Sequence, residues 1–196
     1  MTTIADRPSR HDLKHPMVSS ADEHAYDTTA RALHWLVFGL LAAQVAIGWT
    51  MPHIRPGVAQ EGLVDWHLSV GAASMLVVLV RLAWRIARPT PLGPMVRWER
   101  VLATLTHLLL YLLLIVIPVL GWAAAGFFGY TVRLFGFITL PALADHTMRW
   151  AHEAGDIHDL LTNVLLGVVG LHVLAALWHY FIRGDRVLQR MLPGVR

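Results

Sequence analysis

Residues 157–182 read IHDLLTNVLLGVVGLHVLAALWHYFI. From Leu160 to Ile182 this stretch contains no Asp, Glu, Lys or Arg, and it exceeds the roughly 20 residues that a membrane-spanning helix needs. Two of its histidines, His158 and His172, are 14 residues apart. On an α-helix that rises about 1.5 Å per residue they share one face and lie about 21 Å apart along the axis. The stretch therefore predicts a spanning helix with two imidazoles at two depths of a membrane.

Three further apolar segments precede this one, at about 32–51, at about 66–86, and from 101 to the next charged residue, Arg133. Each is long enough to span a membrane as a helix. Pro118 lies inside the third segment, where we expect it to kink the helix. The predicted fold is all-α: an integral membrane four-helix bundle.

The composition agrees with a membrane protein. Hydrophobic residues make up 56% of the 196-residue chain and charged residues 15%, against about 25% charged residues in a typical soluble protein. This excludes a disordered chain and disfavours a soluble globule. The net charge is +3, with basic residues beside the apolar runs, so we expect no nucleic-acid partner. The absence of cysteine excludes disulfides, thiolate zinc sites, iron–sulfur clusters and covalent c-type haem.

The basic residues predict the orientation in the membrane. Four spans place both termini on one side, and 13 of the 16 Lys and Arg residues lie on that side. Because cytoplasmic loops are rich in Lys and Arg, both termini are expected in the cytoplasm. We divide the chain into a flexible cytoplasmic tail (1–30) that lacks the apolar core of a signal peptide, a four-helix domain (31–185) and a basic cytoplasmic tail (186–196).

The second outer connection, at about 127–150, mixes glycine with aromatic and apolar residues. This mixture predicts a short interfacial helix or a cap over the bundle. Tryptophans lie near both ends of all four segments, as expected of indole rings at the two membrane interfaces.

Histidine is the main ionisable residue in the predicted spans, where such residues are costly and usually functional. His34 lies near the cytoplasmic end of the first helix, and His67 near the outer end of the second. Direction and depth pair His34 with His172, and His67 with His158. Two imidazoles on opposite faces of a porphyrin are axial ligands of haem iron. The pattern predicts two bis-histidine haems, one at each depth, that form an electron path across the membrane.

Small and basic residues fit these two sites. Two glycines are expected to let a porphyrin approach the helix backbone: Gly48, which lies 14 residues after His34, and Gly71, which lies one turn after His67. Three arginines are expected to pair with haem propionates, although those of the second helix could instead anchor its end: Arg31, Arg81 and Arg85.

Two further histidines, His107 in the third helix and His179 in the fourth, leave alternatives open. His179 is seven residues after His172, on nearly the same face, and is an alternative inner ligand. Either histidine could contact a haem propionate or line a quinone pocket. For His107 a hydrogen bond between helices is a further alternative. Zinc or copper fits less well, because such sites need clustered ligands and the cores of these helices contain no carboxylates.

The chain resembles the small bacterial di-haem cytochrome b561 proteins. An ordered set of segments carries the resemblance over most of residues 27–192: ALHWLVF around His34, DWHLSVG around His67, RLAWRIARPTP, THLLLYLLLIVIPVLGW around His107, IHDLLTNVLLGVVGLH and LWHYF. The resemblance implies a four-helix bundle in the bacterial inner membrane with two haem b groups. It also implies that His34 and His172 ligate the cytoplasmic haem, and His67 and His158 the periplasmic haem.

The resemblance further implies an oxidoreductase that transfers electrons to or from ubiquinone. One type of member oxidises periplasmic superoxide, so superoxide or another small periplasmic donor is expected here. Arg55, Arg133 and Arg149 could steer such an anion, or they contact lipid headgroups. The second outer connection and the longer N-terminal tail depart from the family pattern, and that connection bears on the donor. Membrane lipid is the other expected partner, and a homo-oligomer is left open.

Three other functions remain as alternatives. The chain could be the haem-bearing membrane anchor that passes electrons between a dehydrogenase or hydrogenase and quinone. It could be a haem-free transporter or structural bundle, whose histidines bind protons or one another. It could also be a ferric or ascorbate-linked reductase, although ascorbate partners usually accompany six-helix relatives.

Overall fold

The computed structural model describes residues 27–54, 58–89 and 96–192. Four α-helices run through this part of the chain: α1 (Thr28–Thr50), α2 (Leu63–Ala87), α3 (Arg97–Phe127) and α4 (Arg149–Trp178). All four are long and apolar enough to cross a membrane, so the predicted four-helix membrane fold is confirmed. Most of the predicted N-terminal tail, Arg55 and the last four residues lie outside the described residues.

The start of α1 is fixed by Asp27. Its carboxylate accepts a hydrogen bond from the backbone amide of Ala30 at 2.6 Å and another from the indole of Trp84, in α2, at 3.0 Å. A capping side chain satisfies an amide that has no partner within the helix. Asp27 therefore sets where α1 begins and holds that end against α2.

The fourth helix begins well before its uncharged stretch. α4 starts at Arg149, whereas the first residue of that stretch is Leu160. Its early turns bury Ala151 and Ala154 against α3, while His152 and Glu153 between them are exposed. At the other end, a π-helical turn (His179–Arg183) follows α4, and Gly184, with φ +64°, ends the helix in the left-handed conformation that glycine tolerates.

The helices pack as two antiparallel pairs. α1 packs along α2, and α3 packs along α4. α2 also touches α3, but the backbone of α4 makes few close contacts with α1 or α2. A seam therefore separates the α1–α2 pair from the α3–α4 pair, and the side chains that face this seam decide what the bundle can hold.

An apolar layer fills the middle of the bundle. Leu113, Ile117 and Leu165 are buried there, among partly buried leucines and valines of α1, α3 and α4. Leu165 is seven residues from both His158 and His172. The layer therefore divides the seam into an outer level and an inner level.

The second outer connection forms a cap in place of the interfacial helix considered as the alternative. Two short antiparallel strands, β1 (Arg133–Leu134) and β2 (Ile138–Thr139), make a hairpin. The Ser69 hydroxyl in α2 donates to the carbonyl of Arg133 at 2.6 Å. The Gln60 side chain accepts a hydrogen bond from the backbone amide of Thr131 at 2.8 Å and donates one to the carbonyl of the same residue at 2.6 Å. These bonds hold the cap against the outer end of α2.

The beginning of the basic C-terminal tail packs against the inner end of α1. A 3₁₀ turn (Gln189–Met191) follows the fourth helix. The Trp35 indole donates to the carbonyl of Met191 at 2.7 Å, and the Arg31 guanidinium donates to that of Leu192 at 3.3 Å. The chain thus closes over the end of the predicted inner site.

Candidate functional site

One 14-residue step repeats in all four helices and defines both levels. At the outer level the positions are Gly48, His67, Gly121 and His158, and at the inner level they are His34, Arg81, His107 and His172. Fourteen residues are close to four helical turns, so both members of each pair face the same direction. Because neighbouring helices run in opposite directions, the step brings four side-chain positions together at each end of the seam.

The outer level brings His67 of α2 opposite His158 of α4. Their ring centres are 6.2 Å apart, with the ring planes at 75°. A metal–imidazole bond is about 2 Å long and the ligating nitrogen lies roughly 1 Å from its ring centre, so rings on opposite sides of one metal ion have centres about 6 Å apart. The separation therefore suits two imidazoles that would hold one metal ion between them.

His158 is oriented by its neighbours in α3. Its Nδ1 lies 2.8 Å from the carbonyl of Ile117, so Nδ1 carries the proton. The lone pair of Nε2 is then available to bind a metal ion. Such a bond from the second ring nitrogen is usual for metal-bound histidine. Gly121 makes this approach feasible, because a Cβ atom there would lie 2.9 Å from Nδ1 of His158.

His67 rests against α1 at a second glycine. A Cβ atom at Gly48 would lie 3.5 Å from Cε1 of His67. One turn before Gly48, the amide of Gln44 donates to the backbone carbonyl of His67 at 2.9 Å. Gly71 gives room for this side chain, because its Cβ would lie 3.1 Å from Nε2 of Gln44. Gly71 thus accommodates Gln44, and its expected approach to a porphyrin stays a prediction.

The outer histidines line a cavity of about 350 Å³, within the size range of pockets that hold small molecules and cofactors. Residues of all four helices form its wall, and three of them are the glycines 48, 71 and 121. Val132 and Leu140, which flank the hairpin of the cap, close its outer end. Two buried polar atoms at this level have no hydrogen-bond partner among the described residues, Nδ1 of His67 and Oε1 of Gln44.

The inner level brings three histidines together. The rings of His34 and His172 have centres 6.4 Å apart, which again suits two ligands of one iron. His107, from α3, lies closer to His172, with ring centres 5.3 Å apart. The Nδ1 of His107 is 2.6 Å from the carbonyl of Ala103 in its own helix. His107 therefore stands beside the pair, bonded within α3 rather than to another helix.

The arginines expected to hold propionates lie around this inner level. Arg81 donates to the carbonyl of Ala30 at 3.3 Å, and its guanidinium lies 6.0 Å from the ring centre of Tyr111. Arg81 and Arg85 share with Tyr111 the wall of a small cavity of about 20 Å³. Arg31 bonds the C-terminal segment, as described above. These three cations keep the inner end of the seam positive.

His179 is engaged with the C-terminal segment. Its Nδ1 lies 2.6 Å from a carboxylate oxygen of Asp185. Burial tends to raise the pKa of Asp185, but the hydrogen bonds from His179 and the Val187 amide, together with the charge of Arg183, outweigh burial and hold this pKa below its usual value. The structure brings His172, rather than His179, opposite His34.

A family profile described as prokaryotic cytochrome b561 matches residues 25–194. The chain belongs to this family. It is 32% identical over 180 residues to a probable superoxide oxidase CybB of Yersinia pestis, covering 87% of this chain and 97% of the relative. It is 30% identical over 171 residues to cytochrome b561 homolog 2 of Escherichia coli, covering 85% and 90%. It is 29% identical over 175 residues to cytochrome b562 of Cereibacter sphaeroides, covering 87% and 96%.

Membership of the cytochrome b561 family makes this protein a haem b cytochrome of electron transport, with several spans in the bacterial inner membrane. The donor set fits haem, since each level presents two imidazoles from opposite sides of the seam. An oxidoreductase is the matching class of activity. The resemblance read from the sequence motifs is therefore confirmed at the level of the family.

Two contributors to the cytochrome's site, Gly121 and Gln44, escaped sequence reasoning. Gly121 contacts His158, and Gln44 bonds the turn of His67. A signal for Gly121 was present, because it is separated from His107 by the same 14 residues that separate His158 from His172. Gln44 gave no periodic signal and is recognisable only as a polar residue in an apolar helix.

Proposed function

We propose that this cytochrome binds two haems, one held by His67 and His158 at the outer level and one by His34 and His172 at the inner level, and carries electrons across the membrane. The observation that supports this most directly is the pair of ring separations, 6.2 and 6.4 Å, at two depths of one seam. A bundle whose histidines only bonded one another would have no reason to repeat one ligand-like separation at both depths.

When bound, haem b supplies a one-electron carrier at each level. The protein's own contribution is to keep four imidazole nitrogens free and aimed across the seam. The carbonyl of Ile117 fixes the proton of His158 on Nδ1. The apolar layer around Leu165 keeps water out of the region between the levels, and the inner arginines favour carboxylate groups at the cytoplasmic end.

We propose superoxide as the donor and ubiquinone as the acceptor. Each of two superoxide anions gives up one electron and leaves as dioxygen, and one ubiquinone takes up both electrons and two protons. The printed name of the Yersinia relative supports the donor, and the outer cavity supports access for a small molecule.

The charged side chains on the outer side attract an anionic donor only weakly. Arg133 and Arg149 are exposed, as steering requires. The described outer side also carries six carboxylates: Glu61, Asp65, Asp145, Glu153, Asp156 and Asp159. We therefore expect superoxide to react at a modest rate that depends weakly on ionic strength, and the donor needs a test of its own.

The first experiment measures haem per chain and titrates the purified protein with a reductant while its spectrum is recorded. Two haem b per chain with two resolvable midpoint potentials are expected. One haem per chain would overturn the two-level proposal, and a colourless protein after expression with ample haem supply would overturn both sites.

The second experiment supplies superoxide and ubiquinone to the oxidised protein. Superoxide should disappear and ubiquinol should form at half that molar rate, faster than with heat-denatured protein. Equal rates with native and denatured protein would reject the donor and leave the electron path intact. Stable co-purification with a large redox subunit would instead favour the membrane-anchor alternative.

We also propose that both termini are cytoplasmic, as the distribution of Lys and Arg supports. A reporter fused after Arg196 that is active only in the cytoplasm should be active, and one that is active only in the periplasm should be silent. The reverse pattern would exchange the donor and acceptor sides.

A further inference from the structure

The tip of the outer hairpin is a cluster of exposed apolar side chains. Between β1 and β2 the chain turns through Phe135, Gly136 and Phe137. Phe137 is 90% exposed, Ile138 is 57% exposed and Phe135 is 46% exposed. We call these three side chains the apolar tip. In water this cluster would be unfavourable, because about half of the surface of Phe135 and Ile138 and most of that of Phe137 is left unburied by the protein.

The backbone shows that phenylalanine at position 135 has an energetic cost. Phe135 has φ +49°, and among the described residues it is the only one other than glycine with a positive φ. With Gly136 at φ +78° and a bond from the Phe137 amide to the Leu134 carbonyl at 3.0 Å, it forms a tight hairpin turn. Such turns favour Asn or Gly at this position, because a Cβ atom is crowded in the left-handed conformation. A ring at this place needs a compensating contact outside the hairpin.

The tip lies beside the tryptophans at the outer ends of the helices. The ring of Phe135 packs edge-on against Trp66, with centres 6.0 Å apart, and Trp66 is in the first turn of α2. Trp49 and Trp150, at the outer ends of α1 and α4, are also largely exposed. Exposed indoles at helix ends mark the level of the lipid headgroups. The contact with Trp66 therefore puts the hairpin at the level where the acyl chains begin.

We propose that the apolar tip inserts into the outer leaflet of the bilayer and anchors the cap over the outer cavity. The partner is a phospholipid surface, with Phe137 and Ile138 among the acyl chains and Arg133, at the base of the hairpin, beside the phosphates. This assigns Arg133 to lipid rather than to the donor. Because Val132 and Leu140 both flank the hairpin and line the cavity, lipid contact at the tip fixes the position of the cap.

The absence of cysteine in the chain allows a clean test. Phe137→Cys and, as a matched control, His146→Cys are each labelled with a nitroxide. His146 is exposed in the same connection but lies outside the hairpin. Both labelled proteins are placed in nanodiscs of phosphatidylethanolamine and phosphatidylglycerol, and relaxation by oxygen, which enters lipid, is compared with relaxation by a water-soluble nickel chelate.

The label at 137 should relax severalfold more strongly with oxygen than with the chelate, whereas the label at 146 should do the reverse. Equal preference for the chelate at both positions would overturn the proposal. Protection from both reagents, or broadening by a second label, would also overturn it in favour of a protein partner or a second copy. Ile138→Cys repeats the measurement at a neighbouring side chain, and neither readout depends on bound haem.

Discussion

The outer and inner levels of the bundle use the same helix geometry and surround their histidines differently. Each presents two facing imidazoles with almost equal ring separations. The remaining two positions of the 14-residue step are Gly48 and Gly121 at the outer level, but Arg81 and His107 at the inner level. Glycine opens a cavity, whereas arginine and histidine fill the space with polar groups. The common spacing thus sets where a cofactor can bind, and the other two helices set its environment.

The largest expected effect comes from removing a ligand. His67→Ala or His158→Ala should eliminate the outer haem and leave the inner one, and His34→Ala or His172→Ala should do the opposite. Haem per chain should fall from two to one, and the reductive titration should lose one of its two steps. His146→Ala, at an exposed histidine on the outer side, is the control that should retain both. Loss of both haems in every ligand variant would mean that the levels are not independent.

A smaller effect is expected from Gly121→Ala. The new methyl group would lie 2.9 Å from Nδ1 of His158, so it must displace the ring from the Ile117 carbonyl. Overpacking of this kind costs roughly 1–3 kcal/mol, and we expect the outer haem to be retained roughly tenfold less tightly. Haem transfer to apomyoglobin measures this directly.

Gly170→Ala in α4 is the matched control, because a Cβ atom there has no neighbour within 4 Å. Its haem transfer should follow the wild type. If Gly121→Ala retained the outer haem as firmly as this control, the close packing of His158 against α3 would be unimportant for binding.

His107→Leu tests the inner level at a residue that we do not expect to be a ligand. Both haems should remain, and the midpoint potential of the inner haem should move, because a polar ring beside His172 is lost. The potential of the outer haem should be unchanged. Loss of the inner haem would identify His107 as a ligand in place of His34.

The smallest effect is expected from Gln44→Leu. This change removes the bond to the carbonyl of His67, so the outer haem should stay bound with a small shift in its potential and in its electron paramagnetic resonance spectrum. Thr50→Val is the control, since within the described residues the Thr50 hydroxyl bonds only carbonyls of its own helix. A larger shift at the inner haem than at the outer one would contradict the assignment of Gln44 to the outer level.

Much of this architecture was predictable because membrane helices follow simple rules. Length and hydropathy identified the four spans, and direction along each helix gave the depth of each histidine. The pairs His34–His172 and His67–His158, predicted from helix direction and depth, are the pairs whose rings the structure places opposite each other. Depth can be predicted because the position of a residue along the axis of a spanning helix follows directly from its place in the sequence.

Lateral contacts were harder to predict, because they depend on which helices pair. The contact of Gly71 with Gln44, for example, follows from how α1 packs on α2. The hairpin of the cap was missed because Phe135 adopts a turn conformation that phenylalanine rarely takes. The early start of α4 was missed because charged residues are compatible with a helix that extends beyond the hydrocarbon region.

The apolar layer around Leu165 also has an electrical consequence. Its residues include no titratable side chain, so under the proposed function an electron that passed inward between the levels would move without a proton to balance its charge. A respiring bacterium is negative inside, and moving one elementary charge against that voltage costs about 2.3 kcal/mol per 100 mV. The rate of inward electron transfer through this cytochrome should therefore fall when the membrane potential is high and rise when it is low. The membrane potential would then regulate the protein.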